Sequence, residues 1–434
     1  MEREQPTIFT HDEDLDKEKT MLRSVTQTLE IPVRNECDIL VVGAGPAGIG
    51  AALTAARKGA RVTLVEYGGK LGGMWTLGLL SPFFDNRDKP GLNQELREKL
   101  AERNAWGGLW DMAFDPSQMA LLLNQMALDA KLDVLLYTTA CEPYLEDNAI
   151  RGVFVQNKSG RQLILASIVI DCTGDGDIAA RAGCPFEIGR PSDGAFQPMT
   201  MMFKIGGLRE EYPRDATIDW YALLQYRHRA SLQKLVEDVP FDKPCIIKLP
   251  GPGGQALVQW THVRFLRGTD GEEFTRATQQ AMLQVEKAMR YFREMRDLLG
   301  DVYLLELPAV IGVRESRRIT GEYIISDDDV LKGFHPADGI CDVHFGVDIH
   351  EPSKAEQTNL PNAGFDIPFR SLVPLGVENL LTAGRCISGS FLAHASYRVT
   401  GDCLMMGEAA GAKACDAISR HISVRQLSRE LAAK

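Results

Sequence analysis

Residues Cys37 to Met74, CDILVVGAGPAGIGAALTAARKGARVTLVEYGGKLGGM, constrain this chain more than any other stretch. Ile39 to Val42 is a short, continuous apolar run, the mark of a strand buried on both faces. Gly43-Ala44-Gly45-Pro46-Ala47-Gly48 follows at once, then an Ala-rich helical pattern through Ala56. A second β-branched run, Arg61 to Val65, ends in Glu66, about twenty residues past the glycines. Gly43 permits a tight turn, Gly45 lets backbone approach a pyrophosphate, and Gly48 lets helix and strand pack closely. The helix N-terminus offers unpaired N–H groups and a positive dipole end to the phosphates. Glu66 can accept both ribose hydroxyls of an adenosine. A bare GxGxxG says little. With a strand before it, a helix after it and an acid closing the next strand, it reads as a βαβ dinucleotide fingerprint rather than an unliganded turn. Glu66 disfavours a 2′-phosphate and so argues against NADP; NAD and FAD remain.

At 434 residues the chain has room for two domains, or for one large domain with an insertion. Its net charge of −11 argues against nucleic acid or an anionic membrane as the main partner. No apolar run approaches the roughly eighteen residues that span a bilayer. The opening MEREQPTIFTHDEDLDKEKT lacks the apolar core of a signal peptide, so a cytoplasmic, soluble protein is expected. None of the nine cysteines forms a CxxC pair, and no Cys/His spacing suggests zinc. Buried thiols and no metal are the expectation.

Residues 1 to about 35 are polar and read as a lead-in strand, helix or arm. The glycine pairs in Tyr67-Gly68-Gly69-Lys70-Leu71-Gly72-Gly73-Met74 would let backbone lie flat against a large planar ligand. Asp115 to Ala130 reads as a helix with an Asp-Pro start, and Val134 to Thr138 as a short strand. Glu142 to Ile170 alternates with turns at Asp147-Asn148 and Lys158-Ser159-Gly160, an antiparallel meander ending in a return strand. Gly174-Asp175-Gly176-Asp177-Ile178-Ala179 imitates a second fingerprint, but two carboxylates would sit where a pyrophosphate needs donors. These aspartates are expected to cap the helix through Ala182. Beyond residue 185 come Gly-Pro turns, a long helix from about Glu272 to Leu299, and three aspartates, Asp327 to Asp329, expected to open a helix. Asn379 to Thr382 reads as a strand leading into Ala383-Gly384-Arg385, and Asp402 to Ser419 as a Met- and Ala-rich helix whose exposed face could support a homodimer.

Five stretches together resemble the bacterial FAD-dependent oxidoreductase family, which shares its FAD domain with glutathione reductase-like and fumarate reductase-like flavoproteins. They are GAGPAG with Glu66; KLGGM at 70–74; IDCTGDGDIAARAG at 170–183; GVRESRRITGEYIISDDDVL at 312–331; and FDIPFRSLVPLGVENLLTAGRCISGS continuing to YRVTGDCLMMGEAAGAKA, at 365–414. The resemblance runs from about residue 30 to 420. It implies an α/β fold, a Rossmann-like FAD-binding domain of the glutathione-reductase type with an inserted α+β substrate domain. The expected division is an arm at 1–34, an FAD-binding domain at 35–184 and 365–420, a substrate or cap domain at 185–364, and a tail at 421–434.

The resemblance also implies FAD on Gly43, Gly45, Pro46, Ala47, Gly48, Glu66, Tyr67, Gly72, Gly73, Met74, Ala140, Thr173, Gly174, Asp177, Gly384, Arg385, Arg398 and Val399. Ala383 to Arg385 would pass along the ribityl chain, and Ser396 to Asp402 would approach the isoalloxazine. A helix starting near Gly401-Asp402 would aim its positive end at the ring edge that becomes negative on reduction. Where relatives carry Pro-Thr this chain has Gly401-Asp402, and a carboxylate there would oppose that charge.

For catalysis, His394 is the first acid/base candidate because it lies in the segment expected to pass the flavin; Tyr397 is the substitute, and a packed histidine is the competing reading. Arg398 and Arg314 are candidates for holding charge on the ring or the substrate, Arg314 within a cluster with Glu315, Arg317 and Arg318 that could equally be a salt-bridge network. Cys386 is read as structural, and the remaining histidines as too scattered for a metal site. The expected function is hydride transfer between flavin N5 and a small polar substrate of hydroxyl, amine or unsaturated-acid type, with the electron acceptor open. The alternatives are an NAD(P)H-dependent flavin reductase, against whose disulfide type the missing second fingerprint and CxxxxC pair count; a monooxygenase, against which Ala383-Gly384-Arg385-Cys386-Ile387 counts, standing where such enzymes usually carry Gly-Asp-Ala-x-His; and a non-catalytic flavin-binding protein.

Overall fold

A computed structural model of the chain describes residues 24–108, 111–212, 228, 230, 245–354 and 356–433. The expected lead-in lies mostly outside the described residues; 24–32 form no helix or strand, and the first strand, β1 (Val33–Val42), starts earlier than the apolar run alone suggests. β1 pairs in parallel with β2 (Val62–Val65) on one side and β6 (Gly160–Asp171) on the other. Its last residues are buried on both faces, which is why they are apolar without alternation. β3 (Asp133–Leu135) continues the sheet beyond β2, and the antiparallel strands β4 (Thr139–Glu146) and β5 (Ala149–Asn157) beyond β6. A late strand, Leu380–Thr382, adds in parallel to β6 and completes seven strands.

Helix α1 (Pro46–Arg57) is clamped by the helix Thr400–Ser419, and glycines set the distance between them. A Cβ on Gly407 would fall 2.0 Å from the carbonyl oxygen of Ala47, and one on Gly411 2.4 Å from that of Ala51. From the other side, a Cβ on Gly50 would fall 2.3 Å from the oxygen of Leu404. The helix Thr400–Ser419 is therefore among the most buried of the described helices, with Met406, Ala410, Ala414 and Ala417 all fully buried.

A second, four-stranded antiparallel sheet is built from Phe203–Gly206, Cys245–Lys248, Ala256–Gln259 and Tyr303–Glu306. The long helix Gly271–Glu294 lays Ala277, Ala281, Val285, Ala288 and Phe292 on it, a stripe at helical spacing. Asp270 caps this helix by accepting from the N–H groups of Glu272 and Glu273, and the helix breaks at Met295 rather than running unbroken to Leu299. Residues 199–313 have an apolar cluster of their own, whereas Ile325, Val330, Cys341, Val343, Val347 and Ile349 belong to the cluster containing Ile39 and Val41. Gly339–Val343 also pairs with Phe365–Pro368 across the boundary expected at 364. The described apolar residues of 325–349 thus pack with the fingerprint unit, not with the second sheet.

Two helix starts differ from expectation. The helix Asp327–Lys332 is capped by Ser326, whose hydroxyl accepts from Asp329 N–H while Asp329 accepts in return from Ser326 N–H. The short helix Asp177–Arg181 is capped by neither Asp175 nor Asp177. Asp171, at the end of β6, does that with one carboxylate: Oδ2 accepts from Ile178 and Ala179, and Oδ1 from the Thr173 amide and hydroxyl.

Candidate functional site

One cavity of about 1100 Å³ opens at the carboxyl ends of the parallel strands. Of the residues singled out for a cofactor, Gly43, Gly45, Pro46, Ala47, Glu66, Tyr67, Gly73, Met74, Ala140, Thr173, Gly174, Asp177, Gly384, Arg385, Arg398 and Val399 line it, and Arg314 does too. Gly48 and Gly72 do not; their place is behind it. A Cβ on Gly48 would lie 1.8 Å from the carbonyl oxygen of Gly43, so this glycine is required for helix–strand closeness. Gly43 sits at φ +93° with its missing Cβ aimed at the backbone of Cys172. Gly45 is different: nothing stands within 4 Å of the position its Cβ would take. It caps α1 without any side-chain acceptor, which leaves the first-turn N–H groups to an incoming anion.

Glu66 is 3 % exposed, and its two oxygens hold the loops on either side of the cavity. Oε2 accepts from Ala44 N–H at 2.8 Å and Oε1 from Gly68 N–H at 2.7 Å. Burial pushes its pKa up, and these two bonds oppose that. The glycine pairs of 68–73 serve loop packing: a Cβ on Gly73 would meet Gly45 Cα at 2.7 Å, and one on Gly69 the Tyr137 hydroxyl at 2.3 Å.

The imitation fingerprint is tied down by arginines. Arg385 donates to Asp175 at 2.8 Å and to the Ser316 hydroxyl at 2.7 Å, and Arg317 donates to Asp177 at 2.9 Å. Arg318 and Glu315 form a fully buried pair at 2.7 Å, with Glu315 also accepting from Gly189 N–H. The cluster is therefore a salt-bridge network at three of its four positions. Arg314 is the exception. It is buried at the cavity wall and donates to the Pro198 carbonyl at 2.7 Å and the Thr200 hydroxyl at 2.6 Å, both neutral, with no ion pair among the described residues. Burial, with Arg398 adding to it, pushes its pKa down although Asp348 opposes. Arg398 donates to Asp348 Oδ2 at 3.0 Å.

His394 and Tyr397 do not reach the cavity. Their helix, Phe391–Tyr397, is embedded in the main apolar cluster. His394 is 0 % exposed, with neither ring nitrogen bonded among the described residues, and burial pushes its pKa well down, so it is a packed neutral ring. Tyr397 donates to the Ile387 carbonyl at 3.0 Å and braces the turn before the helix. Neither can serve as a proton acceptor at the site, because segment proximity does not fix which face a helix turns inward. Asp402 is likewise 0 % exposed and faces away: it pairs with Lys89 at 3.0 Å, beside Asp85 and the Cys341 thiol. Burial opposes the Lys89 charge, but Asp402 and Asp85 outweigh it and push that pKa up. The carboxylate expected to oppose negative charge in the cavity is thus outside it and matched by an ammonium. Cys386 is buried against the carbonyls of Asp171 and Ala383, with its pKa pushed well up.

A group that the sequence reading set aside lines the same cavity. His350, Asp348, Gln357 and Asn359 line the cavity beside Arg314 and Arg398. His350 meets His262 at 2.8 Å, and no sequence spacing could announce a pair drawn from positions so far apart. Burial and Arg314 push the His350 pKa down to about 4, against the pull of Asp348. An imidazole held neutral by folding stabilises the protein above its unfolded pKa near 6.5 and loses that contribution as pH falls toward the folded value. Unfolding free energy is accordingly expected to drop by about 3 kcal/mol from His350 alone between pH 6.5 and pH 4. Denaturant titrations across that range would show it, and a His350→Gln protein should lack that share of the slope.

No group of three or more His, Cys, Asp or Glu suited to a metal occurs among the described residues, and no helix there is long and apolar enough to cross a membrane. The family described as FAD dependent oxidoreductase matches residues 38–434. A 37-residue segment is 65% identical to the sarcosine oxidase subunit alpha of Rhizobium meliloti (strain 1021), covering 8% of this chain and 4% of that one. A 187-residue stretch is 28% identical to the thiamine thiazole synthase of Aeropyrum pernix, covering 40% of this chain and 67% of the relative. Among solved structures, a geranylgeranyl bacteriochlorophyll reductase-like protein from Thermoplasma acidophilum superposes with a TM-score of 0.50 at 14% identity, over 92% of this chain and 82% of that one. A flavin-dependent brominase gives 0.50 at 11% identity, over 88% and 81%. These two show a shared fold.

Proposed function

The chain belongs to the FAD-dependent oxidoreductase family and takes FAD as its cofactor, and on that premise we propose that it moves a hydride between FAD and a small polar substrate bearing a carboxylate or similar anion. The cavity fits the cofactor: an uncapped helix start at Gly45, a buried acid at the end of β2, and room beyond the 300–1,000 Å³ common for small-ligand pockets. Gly45 to Ala47 would hold the pyrophosphate, Glu66 the adenosine ribose, and Gly384, Arg385 and Val399 the ribityl chain and ring. Bound FAD supplies a two-electron, hydride-exchanging centre.

The residues of this chain supply the rest. The helix Thr400–Ser419 begins at the cavity without a side-chain cap, and the Thr400 hydroxyl there has no partner among the described residues. That positive helix end favours negative charge beside it. Arg314 carries the substrate reading, being a buried guanidinium at the cavity wall whose partners are neutral. Such a charge is costly to bury alone, and an anion seated against it would offset that cost. The purified protein should be yellow. Anaerobic titration with small 2-hydroxy acids, amino acids and 2-enoic acids (the last against the reduced enzyme) should bleach or restore the long-wavelength flavin band with at least one acid and with no uncharged analogue. A protein reduced by uncharged alcohols as readily as by acids would contradict the anion reading.

Replacing Glu66 with Ala tests the cofactor end. It would orphan the N–H groups of Ala44 and Gly68 and remove the ribose acceptor. At about 1–3 kcal/mol for such losses, FAD affinity should fall about 5- to 150-fold, read by fluorescence titration of the apoprotein.

A further inference from the structure

The four-stranded sheet turns its two faces to different surroundings. Along 199–205 the odd positions, Met199, Met201, Phe203 and Ile205, belong to the apolar cluster under the helix Gly271–Glu294. Thr200 and Met202 therefore point the other way, and both line the cavity. The neighbouring strands repeat the pattern: Val258 and Ile246 pack on the helix side, while the paired Gln259 and Cys245 reach the cavity. Thr200 anchors the charge at this wall. Its hydroxyl accepts from Arg314 at 2.6 Å and donates to the Thr261 carbonyl at 2.6 Å. Met202, two residues on, stands about 7 Å further along the strand, and there the wall changes character. It belongs with Ile247, Leu249 and Leu257 to a separate apolar cluster, on which Leu80 and Cys245 lie only half-buried. Leu80 and Cys245 also line the cavity, and neither they nor Met202 are among the residues assigned to the cofactor.

We propose that the acid accepted here is amphipathic, with its anion on Arg314 and an alkyl or aromatic arm running along Met202 to Leu80 and Cys245. The proposal rests on the anion reading above and narrows it. Among hydroxy, amino and enoic acids, it selects those whose arm is long enough to pass Thr200. Half-buried apolar side chains at a cavity hold water against them, and a carbon chain that displaces this water is favoured in proportion to the area covered. Asp348, also at the cavity, is engaged by Arg398 at 3.0 Å and by Gln357, which leaves Gln259 as the one amide in the row with Met202 and Cys245. A substrate that is hydrophilic throughout would find its charge matched at Arg314 and little to bond beyond it.

Calorimetric titration of the oxidised, FAD-loaded protein with saturated straight-chain acids tests this apart from the redox step, since such acids carry no O–H or N–H on the carbon beside the carboxylate. From butanoate to octanoate each added methylene should lower Kd about three- to fourfold, or about 100-fold over the series. The heat capacity change of binding should grow more negative along it. Kd values within about threefold of one another across the series overturn the arm site. Leu80→Ser should shrink the spread between butanoate and octanoate about tenfold. If that variant does not retain FAD, Met202→Thr takes its place, and a full spread in the variant that does retain it overturns the assignment of the arm to this cluster. A flat series in a protein whose flavin is bleached by short hydrophilic acids removes the arm and leaves the hydride reading standing. Hexanoate binding no tighter than hexanamide overturns the anion reading beneath it.

Discussion

Arg314→Met is expected to lower kcat/KM for the anionic substrate by about 30- to 5,000-fold, the range that follows from about 2–5 kcal/mol for one partner of a buried charged contact. The reason is local. Arg314 is fixed by two neutral acceptors and presents the rest of its fork at the cavity, whereas its neighbours Glu315, Arg317 and Arg318 are consumed by pairs within the protein. FAD content should be unchanged, because the partners of Arg314, Pro198 and Thr200, are not among the residues assigned to the cofactor. Arg314→Lys separates charge from geometry: an ammonium keeps the attraction but loses the planar two-point grip, so an intermediate defect falling mainly on KM is expected. Steady-state kinetics with an acid and its amide would decide. Equal losses on both substrates would mean that the guanidinium supports the wall rather than the anion.

Gly407→Leu should leave little folded, flavin-loaded protein. Even its first added carbon would sit 2.0 Å from the carbonyl of Ala47, and rigid backbone on α1 offers no side chain that can move aside. Separating the two helices would drag the turn at Gly45 away from the strand ends, so stability and FAD retention should fail together. Overpacking by one side chain costs typically 1–3 kcal/mol, and a clash with backbone belongs at or beyond the top of that range. A control at Gly376, whose Cβ position is open but whose φ is +86°, should show only the milder cost of a strained backbone. Expression yield, thermal melting and the flavin-to-protein ratio would separate the two variants.

The fingerprint was readable because its requirements are local: an apolar run, three glycines each with its own steric reason, and an acid at the end of the next strand. The meander and the return strand β6 followed from alternation and turn residues for the same reason. Reading failed where direction mattered. His394 lies in the right segment, but its helix turns that ring into the core. Asp402 was recognised as an oddity, yet only the fold shows that it points to Lys89. The capping role of Asp171 left a trace, an acid ending a buried strand just before a helix, which two nearer aspartates obscured. The His262–His350 contact left none, since it joins the segment just past a strand of one sheet to a strand that packs in another cluster.

The allocation of residues 325–349 to the fingerprint core bears on how relatives of this chain can exchange parts. A hybrid cut at 185 and 364 would import one partner of the Gly339–Val343 ladder and leave the other behind, with foreign side chains facing Ile39 and Val41. A narrower transplant, limited to 199–313, would carry one apolar cluster whole, leave Met202, Ile247, Leu249 and Leu257 to pack on the host's counterparts of Leu79 and Ala113, and bring its own Thr200, Gln259 and Val313 to the cavity wall. Such a seam would let substrate preference be traded between lineages while the anchorage of the cofactor stayed with the host.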